Sequence, residues 1–442
     1  MNFTTDISYR KQRLIKLLDV ILKREEDIIQ ALQADFKKPP FESVLTETAL
    51  VISELKDSIR KIRYRARPKM VFPNILNFPS TDFIYPEPYG KVLVIAPWNY
   101  PFLLAMTPLI SAVAAGNSVV LKPSELTPNT ASILELIIAE TFDPVHVEVF
   151  QGGAEISERL LKQRWDYIFF TGSIAVGKLV AKAAAENLTP CTLELGGKNP
   201  CIVDETANLK LAAKRIAWGK FMNAGQTCIA PDYILVKSEV KEKFVGFLKD
   251  EIAAFYGDNP QESPDFARII NEKNFQRLAN MIDDTKVVFG GKKDKANLYI
   301  APTIIDNPAA ESVLMAEEIF GPILPILTYN SDEDVEKAIR KYEKPLSLYV
   351  FTDRKSFAKS IIKKFSFGGG CINDTVVHFS NKRLPFGGVG HSGFGKYHGR
   401  FGFETFSHLK AVTKKATWID VPLRYAPYSG KFNLVRKILK WF

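Results

Sequence analysis

Apolar residues recur at the spacing of an amphipathic helix through the first part of the chain, roughly residues 9–67, as at Leu14, Leu17 and Ile21. This spacing places them on one helical face, so the segment predicts a series of helices. The pattern changes over residues 74–90, where proline and aromatic residues are frequent. That composition disfavours helix and predicts extended chain, with a hairpin as the simplest arrangement.

From residue 91 onward, short apolar runs alternate regularly with stretches of helical spacing. The predicted strands are residues 92–96, 118–121, 147–150, 167–170 and 192–195, and the predicted helices are residues 101–115, 129–141, 154–161 and 175–186. Such alternation is typical of a doubly wound α/β fold with a parallel sheet. A second α/β segment follows over residues 209–372, with predicted strands at 233–236, 323–327 and 348–351. Ligands of such sheets bind outside the carboxyl ends of the strands.

The most apolar stretch, residues 102–121, approaches the length of a membrane span. Pro108, Gly116 and Asn117 interrupt it, and a glycine before a short β-branched run is typical of a helix end that precedes a strand. We therefore predict a helix, a turn and a buried strand here, rather than a transmembrane helix.

Composition places the chain among soluble globular proteins of two or three domains, since 46% of its 442 residues are apolar and 24% are charged. The net charge is +10, and one basic cluster lies at residues 60–69. This cluster ends a predicted helix just before Pro68, where cations complement the helix dipole, so we expect no nucleic-acid partner.

The four cysteines are scattered, without a CxxC pair or a Cys/His cluster. The sequence therefore predicts neither a disulfide framework nor a metal site, and it favours a reducing, cytoplasmic setting. The N-terminus lacks the apolar core of a signal peptide, which agrees with that location.

Polar and reactive residues stand where the predicted strands end. Residues 97–100, 122–125 and 172–173 follow three strands, and Glu194 lies at the end of a fourth. Cys228 follows a Gly-Gln-Thr turn rather than lying in an apolar strand. A thiol nucleophile and a carboxylate base are the parts of covalent catalysis, so we predict that Cys228 and Glu194 face each other between the two α/β segments.

Each member of this pair has an alternative interpretation. A cysteine is more often a buried structural residue than a nucleophile, and Cys191, Cys201 and Cys371 fit that description. Glu194 is either a core carboxylate paired with a basic group or a base whose pKa is raised by burial. The five histidines, at positions 146, 378, 391, 398 and 408, are distant from Cys228 in sequence, and spacing alone leaves a Cys–His hydrolase open.

A nucleotide site has its first candidates after the second strand of the alternation. Lys122 and Glu125 follow that strand, where an adenosine ribose lies in a doubly wound fold. A carboxylate there accepts ribose hydroxyls and disfavours a 2′-phosphate. The alternative is that Ser124 caps the next helix and Lys122 is a solvated surface residue.

Two further segments are candidates for cofactor binding. Gly172 and Ser173 precede a predicted helix, whose N-terminus suits a pyrophosphate, and Gly177 would allow close packing. Glu318 is placed to accept ribose hydroxyls and Phe320 to wall the pocket, unless this segment is an exposed acidic turn. A GxGxxG match at residues 388–393 follows no apolar strand, so we interpret it as a glycine-rich loop and not as a phosphate cradle.

The order and spacing of six motifs carry a family resemblance. They are PWN at 97–99, KPSE at 122–125, FTGS at 170–173, LELGGK at 193–198, GQTC at 225–228 and EEIFGP at 317–322. Together they resemble the aldehyde dehydrogenase superfamily over nearly the whole chain. NDTV at 373–376, PFGGVG at 385–390 and YHG at 397–399 are similar to its class 3, fatty-aldehyde branch.

The resemblance implies a role for each catalytic candidate. Cys228 is the nucleophile that attacks an aldehyde carbon. Asn99 and the backbone N–H of Cys228 form the oxyanion hole, which matters because charge builds on that oxygen. After hydride transfer, Glu194 activates the water that hydrolyses the thioester. Hydride transfer itself is implied by the family and does not follow from the residue pattern.

The resemblance also implies the cofactor contacts, with NAD as the cofactor and NADP as an alternative. Lys122 and Glu125 contact the adenosine ribose and Ser173 the pyrophosphate. Glu318 and Phe320 contact the nicotinamide ribose region. The implied activity is oxidation of a medium-chain, long-chain or aromatic aldehyde to its carboxylic acid. A thiol hydrolase or acyl-transferase, and a non-catalytic binding relative, are the alternatives.

The expected organisation has four parts. Residues 1–74 and 91–208 form a cofactor-binding domain, residues 209–395 a catalytic domain, residues 75–90 and 396–425 bridging strands of a homodimer, and residues 426–442 an amphipathic tail.

The tail is basic as well as amphipathic. From Lys431 to the end of the chain, one helical face carries Leu434, Val435, Ile438, Leu439 and Phe442. This face is expected to lie on a membrane surface, or else to pack on the partner subunit or over the substrate funnel.

Overall fold

The computed structural model describes residues 6–74 and 77–440. Its first helices are α1 (Ile7–Lys23), α2 (Glu25–Phe36), α3 (Pro40–Ser43) and α4 (Ala49–Ala66), and a π-helical turn, Val44–Thr48, joins α3 to α4. Leu14, Leu17 and Ile21 are fully buried, which confirms the amphipathic helices predicted for this part of the chain. The basic cluster closes α4, as predicted, with Arg63 and Arg65 in its last turn.

Two strands follow, β1 (Lys69–Val71) and β2 (Ser80–Pro88), and they pair in an antiparallel manner. The hairpin predicted within residues 74–90 is therefore wrong, because residues 80–88 of that segment form a single long strand whose partner β1 lies before residue 74. Residues 75 and 76 of the predicted bridging element lie outside the described residues.

The predicted alternation after residue 91 is present, with each element within two residues of its expected bounds. The elements are β3 (Lys91–Ile95), α5 (Pro101–Ala115), β4 (Ser118–Lys122), α6 (Pro128–Thr141), β5 (Val147–Val149), α7 (Ala154–Leu161), β6 (Tyr167–Gly172), α8 (Ile174–Glu186) and β7 (Cys191–Leu195). Every residue of α5 is buried, and Gly116 ends it in left-handed backbone, so the apolar stretch is a helix, a turn and a core strand. Within the described residues, no helix is both long enough and apolar enough to cross a bilayer.

The second α/β unit is longer and more interrupted. Its elements are β8 (Pro200–Val203), α9 (Leu209–Phe221), β9 (Tyr233–Lys237), α10 (Lys241–Tyr256), α11 (Glu272–Ala279), β10 (Val287–Phe289), β11 (Lys293–Asp294), β12 (Tyr299–Ile300), β13 (Thr303–Asp306), α12 (Val313–Ala316), β14 (Ile323–Tyr329), α13 (Asp332–Arg340), β15 (Ser347–Phe351), α14 (Lys355–Lys364) and β16 (Gly369–Ile372). The chain then forms β17 (Gly393–Phe394), α15 (Gly399–Thr405), β18 (Ser407–Lys415) and α16 (Phe432–Leu439).

Two mainly parallel sheets organise the molecule, which confirms the α/β fold class. The first has the order β17-β7-β6-β3-β4-β5, and the second has the order β10-β13-β14-β9-β8-β15-β16. In the first sheet the strand order reverses at β3, because β4 and β5 extend to one side and β6 and β7 to the other. Ligands bind at such a reversal, beyond the carboxyl ends of the strands.

Chain segments cross between the two units near the predicted boundaries. β8 precedes residue 208 but pairs with β9 and β15 of the second sheet. β17 lies within residues 209–395 but pairs with β7 of the first sheet, with Gly393 opposite Glu194. The glycine-rich loop at residues 388–393 therefore continues into an edge strand beside Glu194, and the described residues directly before it, 381–387, form no strand.

A small antiparallel sheet, in the order β1-β2-β18, completes the fold. β2 pairs with β18 along its whole length, from Pro88 opposite Ser407 to Ser80 opposite Lys415, which explains why β2 is one long strand. The tail forms the predicted helix as α16, none of whose residues is buried. Phe442, which the sequence places on the apolar face of this helix, lies outside the described residues.

Candidate active site

Cys228 lies in a tight loop that follows α9. The loop contains two non-glycine residues in left-handed backbone, Asn223 with φ 54° and Ala224 with φ 51°, and then Gly225 with φ 73°. At Gly225 an added Cβ would overlap the carbonyl group of Gly321. Both conformation and space therefore require glycine at this turn.

The side chain of Gln226 supports the loop from inside. Its amide N–H groups donate to the carbonyl oxygens of Asn223 at 3.1 Å and Arg268 at 3.0 Å, and its oxygen accepts from the backbone N–H of Ile270 at 3.0 Å. Gln226 is completely buried. The glycine and glutamine before Cys228 thus hold the thiol in a fixed position.

Asn99 lies against this loop, beyond the end of β3. Its Nδ2 donates to the carbonyl oxygen of Gln226 at 3.1 Å, and its own carbonyl oxygen accepts from Nδ2 of Asn223 at 2.9 Å. Asn99 is buried. The structure therefore brings the predicted oxyanion donor and the loop of the predicted nucleophile together from two different sheets.

Glu194 is a buried carboxylic acid without a hydrogen-bond partner. It is 3% exposed, and among the described residues neither of its carboxyl oxygens has a partner. The alternative of a core carboxylate paired with a basic group is therefore wrong. Burial raises the pKa of Glu194 well above its ordinary value, which is what a base that works near neutral pH requires.

The thiol of Cys228 is neutral in the protein as it stands. Its pKa is raised to about 12, chiefly by burial and further by the charges of Glu318 and Glu194, while the backbone N–H groups of Cys228 and Ile229 act in the opposite direction. The two carboxyl groups therefore both lie close enough to influence the sulfur.

Two cavities of different character meet at Cys228. The larger, of about 880 Å³, is lined by strand-end and loop residues, among them Asn99, Ser173, Glu194 and Glu318. The smaller, of about 280 Å³, has mainly apolar walls, formed by Leu45, Leu50, Tyr100, Leu103, Leu104, Trp218, Met222, Ile229, Val376, Val377 and Phe379 together with a few hydroxyl side chains. Among the described residues, Cys228 alone lines both cavities. One sulfur can therefore react with groups that arrive from two sides.

The larger cavity opens onto the N-terminus of α8. Ser173 is the N-cap of that helix and accepts from the backbone N–H of Val176 at 3.4 Å, and Gly172 also lines the cavity. A helix N-terminus favours a phosphate, so this wall fits a dinucleotide. Gly177 lies outside the cavity wall, and a Cβ there would stand 2.6 Å from Leu195 Cδ2, in agreement with its predicted packing role.

Lys122 and Glu125 form an ion pair of 2.8 Å at the carboxyl end of β4. Lys122 is buried, so its interpretation as a surface lysine is wrong. Ser124 does not cap α6, because the N-cap of that helix is Thr127. The strand that carries the pair, β4, is the neighbour of β3, whose carboxyl end borders the larger cavity. Neither Lys122 nor Glu125 lines that cavity.

Glu318 points inward and is not part of an exposed turn. A Cβ on Gly196 would overlap its carboxyl group, and the backbone N–H of Gly197 bonds to it. Burial, together with the charge of Asp232, raises its pKa to about 8. Phe320 has a left-handed φ of 50° and packs edge-on against Trp98, with ring centroids 5.3 Å apart.

Three charged residues without a predicted role, Lys198, Asp232 and Arg277, hold the segment around Glu318 in place. Lys198 Nζ donates to Asp232 at 2.6 Å and to the carbonyl oxygens of Leu314 and Glu317 at 2.9 and 2.8 Å. Asp232 accepts from the backbone N–H of Ile319 at 3.0 Å.

Arg277 completes the support by donating to the carbonyl oxygen of Ile319 at 2.9 Å. In the sequence, Asp232 is marked only by its place directly before the apolar strand β9, which does not identify its partners.

No histidine hydrogen-bonds to Cys228 in the described part of the chain. His391 lines the larger cavity but pairs with Glu343 at 2.9 Å. His378 faces a different thiol, with its Nδ1 3.5 Å from the sulfur of Cys371. The geometry thus gives no support to a Cys–His hydrolase.

Comparison with known proteins identifies a family that the chain matches over most of its length. The model of the aldehyde dehydrogenase family matches residues 3–412. The 4,4′-diaponeurosporen-aldehyde dehydrogenase of Staphylococcus aureus is 47% identical, over 99% of this chain and 96% of its own length. Aldehyde dehydrogenase family 3 member A2 of Pongo abelii is 43% identical, over 98% of this chain and 91% of its own.

Solved structures similar to this chain also include aldehyde dehydrogenases. The substrate-bound state of the Staphylococcus aureus enzyme AldH superposes with a TM-score of 0.96 at 47% identity, covering 99% of this chain and 96% of that one. An indole-3-acetaldehyde dehydrogenase in complex with NAD⁺ superposes with a TM-score of 0.85 at 26% identity, covering 94% and 86%.

Proposed function

The chain belongs to the aldehyde dehydrogenase family, and we propose that it oxidises apolar aldehydes to carboxylic acids through a thioester on Cys228, with NAD⁺ or NADP⁺ as electron acceptor. The observation that carries this proposal is the place of Cys228 between a large, dinucleotide-sized cavity and an apolar tunnel. When bound, the dinucleotide accepts the hydride that leaves the substrate carbon, and the thiohemiacetal on Cys228 becomes a thioester.

In the first half of the reaction, the sulfur of Cys228 forms a bond to the aldehyde carbon. The thiol proton leaves to solvent. The aldehyde oxygen takes a negative charge, which Nδ2 of Asn99 and the backbone N–H of Cys228 stabilise by hydrogen bonds. A donor of this kind contributes about 10²–10³ in rate in other acyl-transfer sites.

In the second half, Glu194 accepts a proton from water, and the water oxygen attacks the thioester carbon. The carbon–sulfur bond breaks, the thiolate leaves, and the acid is released. Glu194 suits this step because its carboxyl oxygens have no other partner among the described residues and its pKa is raised by burial.

The walls of the two cavities support a preference for substrate and cofactor. The tunnel, of about 280 Å³, is mainly apolar, which suits a medium-chain or long-chain aliphatic aldehyde or an aromatic one. We assign Lys122 and Glu125 to the adenosine ribose, Gly172 and Ser173 to the pyrophosphate, and Glu318 and Phe320 to the nicotinamide ribose. A carboxylate at position 125 favours NAD⁺ over NADP⁺.

We also propose that the unit built on the first sheet binds the cofactor, that the unit built on the second carries the thiol, and that the protein is cytoplasmic.

We further propose that the protein is a homodimer. Within the described residues β18 is an edge strand of the small sheet β1-β2-β18, and its Leu409 and Val412 are exposed. Exposed apolar edges of this kind are typical of interfaces. The exposed face of α16, with Leu434 and Ile438, meets either a membrane surface or the protein itself.

One experiment tests the proposal. Purified protein is mixed with aldehydes of increasing chain length and with NAD⁺ or NADP⁺, and absorbance at the NADH wavelength is followed. We expect reduction of NAD⁺ with an apolar aldehyde. Ester cleavage without NADH would favour a thiol hydrolase or acyl-transferase, and failure to bind NAD⁺ would favour a non-catalytic relative. Two separate measurements address the remaining proposals. Light scattering gives the molar mass and so tests whether the protein is a dimer, and sedimentation with lipid vesicles tests whether the C-terminal tail binds a membrane surface.

A further inference from the structure

A buried ion pair outside the reacting groups lies beneath the active site. Nζ of Lys38 is 2.6 Å from Oε1 of Glu47, and both side chains are fully buried. Glu47 belongs to the π-helical turn Val44–Thr48 that interrupts the path from α3 to α4. Such π-turns are rare and frequently occur at functional sites.

The other carboxyl oxygen of Glu47 binds the N-terminus of α5. Oε2 accepts from the backbone N–H groups of Phe102 at 2.9 Å and Leu103 at 3.0 Å. A carboxylate at a helix N-terminus is favourable because it meets unpaired N–H groups and the positive end of the helix dipole. Asn99 lies two residues before α5 begins, so the same contact fixes the backbone that carries Asn99.

Lys38 reaches the other side of the same segment. Its ammonium group stands 4.0 Å from the centroid of the Tyr100 ring. The Tyr100 hydroxyl is 2.7 Å from Oγ1 of Thr227, the residue before Cys228. The ion pair therefore touches the backbone after Asn99 on one side and, through Tyr100, the thiol loop on the other.

The two buried charges are not needed to stabilise the folded protein. Replacing a buried ion pair by uncharged side chains of similar volume is often neutral or even stabilising, because desolvation offsets the attraction. Misplacing a catalytic group by about 1 Å, in contrast, can slow a reaction about 10²-fold. The position of the pair therefore favours a role in placing Asn99 relative to Cys228 over a role in stabilising the fold.

We propose that Lys38 and Glu47 are positioning residues, which hold Asn99 at the distance from Cys228 that the oxyanion requires. This inference rests on the proposed function, because it takes Asn99 as the oxyanion donor. The pair acts through Asn99 and touches neither substrate nor cofactor.

The test is a mutant cycle read by single-turnover kinetics. The variant Lys38→Met/Glu47→Gln removes both charges and keeps the side-chain volumes similar. With enzyme in excess over aldehyde, we expect the rate constant of NADH formation to fall about tenfold or more in the otherwise native protein. In an Asn99→Ala background the same change should cost less than about twofold, because residues that act through one group are not additive.

A matched control uses another buried ion pair that does not contact the segment before α5. Asp57 and Arg65 form such a pair within α4, and Asp57→Asn/Arg65→Met should leave the single-turnover rate constant unchanged. Binding of NAD⁺ should remain as in the native protein for all variants. A merely structural role would lower the fraction of active sites and leave the rate constant of the remaining sites intact.

Three outcomes would overturn the proposal. The first is an equal loss in the native and Asn99→Ala backgrounds. The second is a rate constant that does not change. The third is failure of both the double variant and Glu47→Gln to fold, which would make the pair a stability element. Glu47→Gln should fold because the glutamine side chain has nearly the same shape and its oxygen can still accept from the backbone N–H groups of Phe102 and Leu103. Wild-type protein that forms no NADH would instead refute the proposed function itself.

Discussion

Replacement of Glu318 by glutamine should stabilise the free protein while it impairs catalysis. The carboxyl group of Glu318 lies against Gly196 beside the thiol, and its pKa is raised from 4.5 to about 8, chiefly by burial. Glutamine has nearly the same shape, and its oxygen can still accept the hydrogen bond from Gly197. What the substitution removes is the charge that forms when the acid loses its proton.

The magnitude follows from proton linkage. The folded protein keeps a proton on Glu318 that the unfolded chain releases above its ordinary pKa, so this group makes the protein less stable as pH rises from about 4.5 to about 8. Each pH unit in that window is worth about 1.4 kcal/mol, which gives an upper bound of about 4 kcal/mol at pH 7.5, three units above the ordinary value. Water in the cavity reduces this, so we expect about 1–3 kcal/mol.

The assay is urea-induced unfolding at pH 5 and pH 7.5, followed by tryptophan fluorescence. Glu318→Gln should raise the free energy of unfolding at pH 7.5 by the stated amount and have little effect at pH 5. Its exposed neighbour Glu317 provides the control, and Glu317→Gln should change neither value. A Glu318→Gln variant that is equally stable with wild type at both pH values would refute the electrostatic reasoning.

Three further outcomes are expected. Lys198→Met leaves the buried carboxylate of Asp232 without its cation and should reduce the free energy of unfolding by about 3–5 kcal/mol; a loss below 1 kcal/mol would contradict a tightly held pair. Leu104→Trp narrows the apolar tunnel and should raise KM for long-chain aldehydes more than for short ones, whereas an equal effect on both would place the substrate elsewhere. Because the pKa of Cys228 is about 12, its alkylation by iodoacetamide without cofactor should accelerate about tenfold per pH unit from pH 8 to pH 11, and a plateau near pH 8 would be inconsistent with that value.

The sequence pattern was sufficient for the elements that bury continuous apolar runs. The strand predicted at residues 192–195 appears as β7, and the helix predicted at residues 101–115 has the same bounds as α5. The strand-end rule also brought Asn99 and Glu194 to one cavity, because parallel strands align their carboxyl ends. Cys228 follows no strand, and its place beside them was expected from the boundary between the two α/β segments.

Pairing between distant segments could not be predicted in this way. β8 and β17 each join the sheet on the other side of a predicted boundary, since sheet membership depends on partners remote in sequence. The partners Lys198 and Asp232 are 34 residues apart, and no periodicity links them. The same is true of the contact between Glu47 and the N-terminus of α5, 55 residues later.

The central claim is that Cys228 holds the acyl group between oxidation and hydrolysis. The most direct test uses Glu194→Gln, which should complete the first half of the reaction and slow the second. Mixed rapidly with aldehyde and NAD⁺, this variant should give a burst of about one NADH per subunit, and mass spectrometry of the quenched protein should find the acyl group on the Cys228 peptide. Absence of the burst, or an acyl group on another residue, would contradict the account, as would full activity of Cys228→Ala.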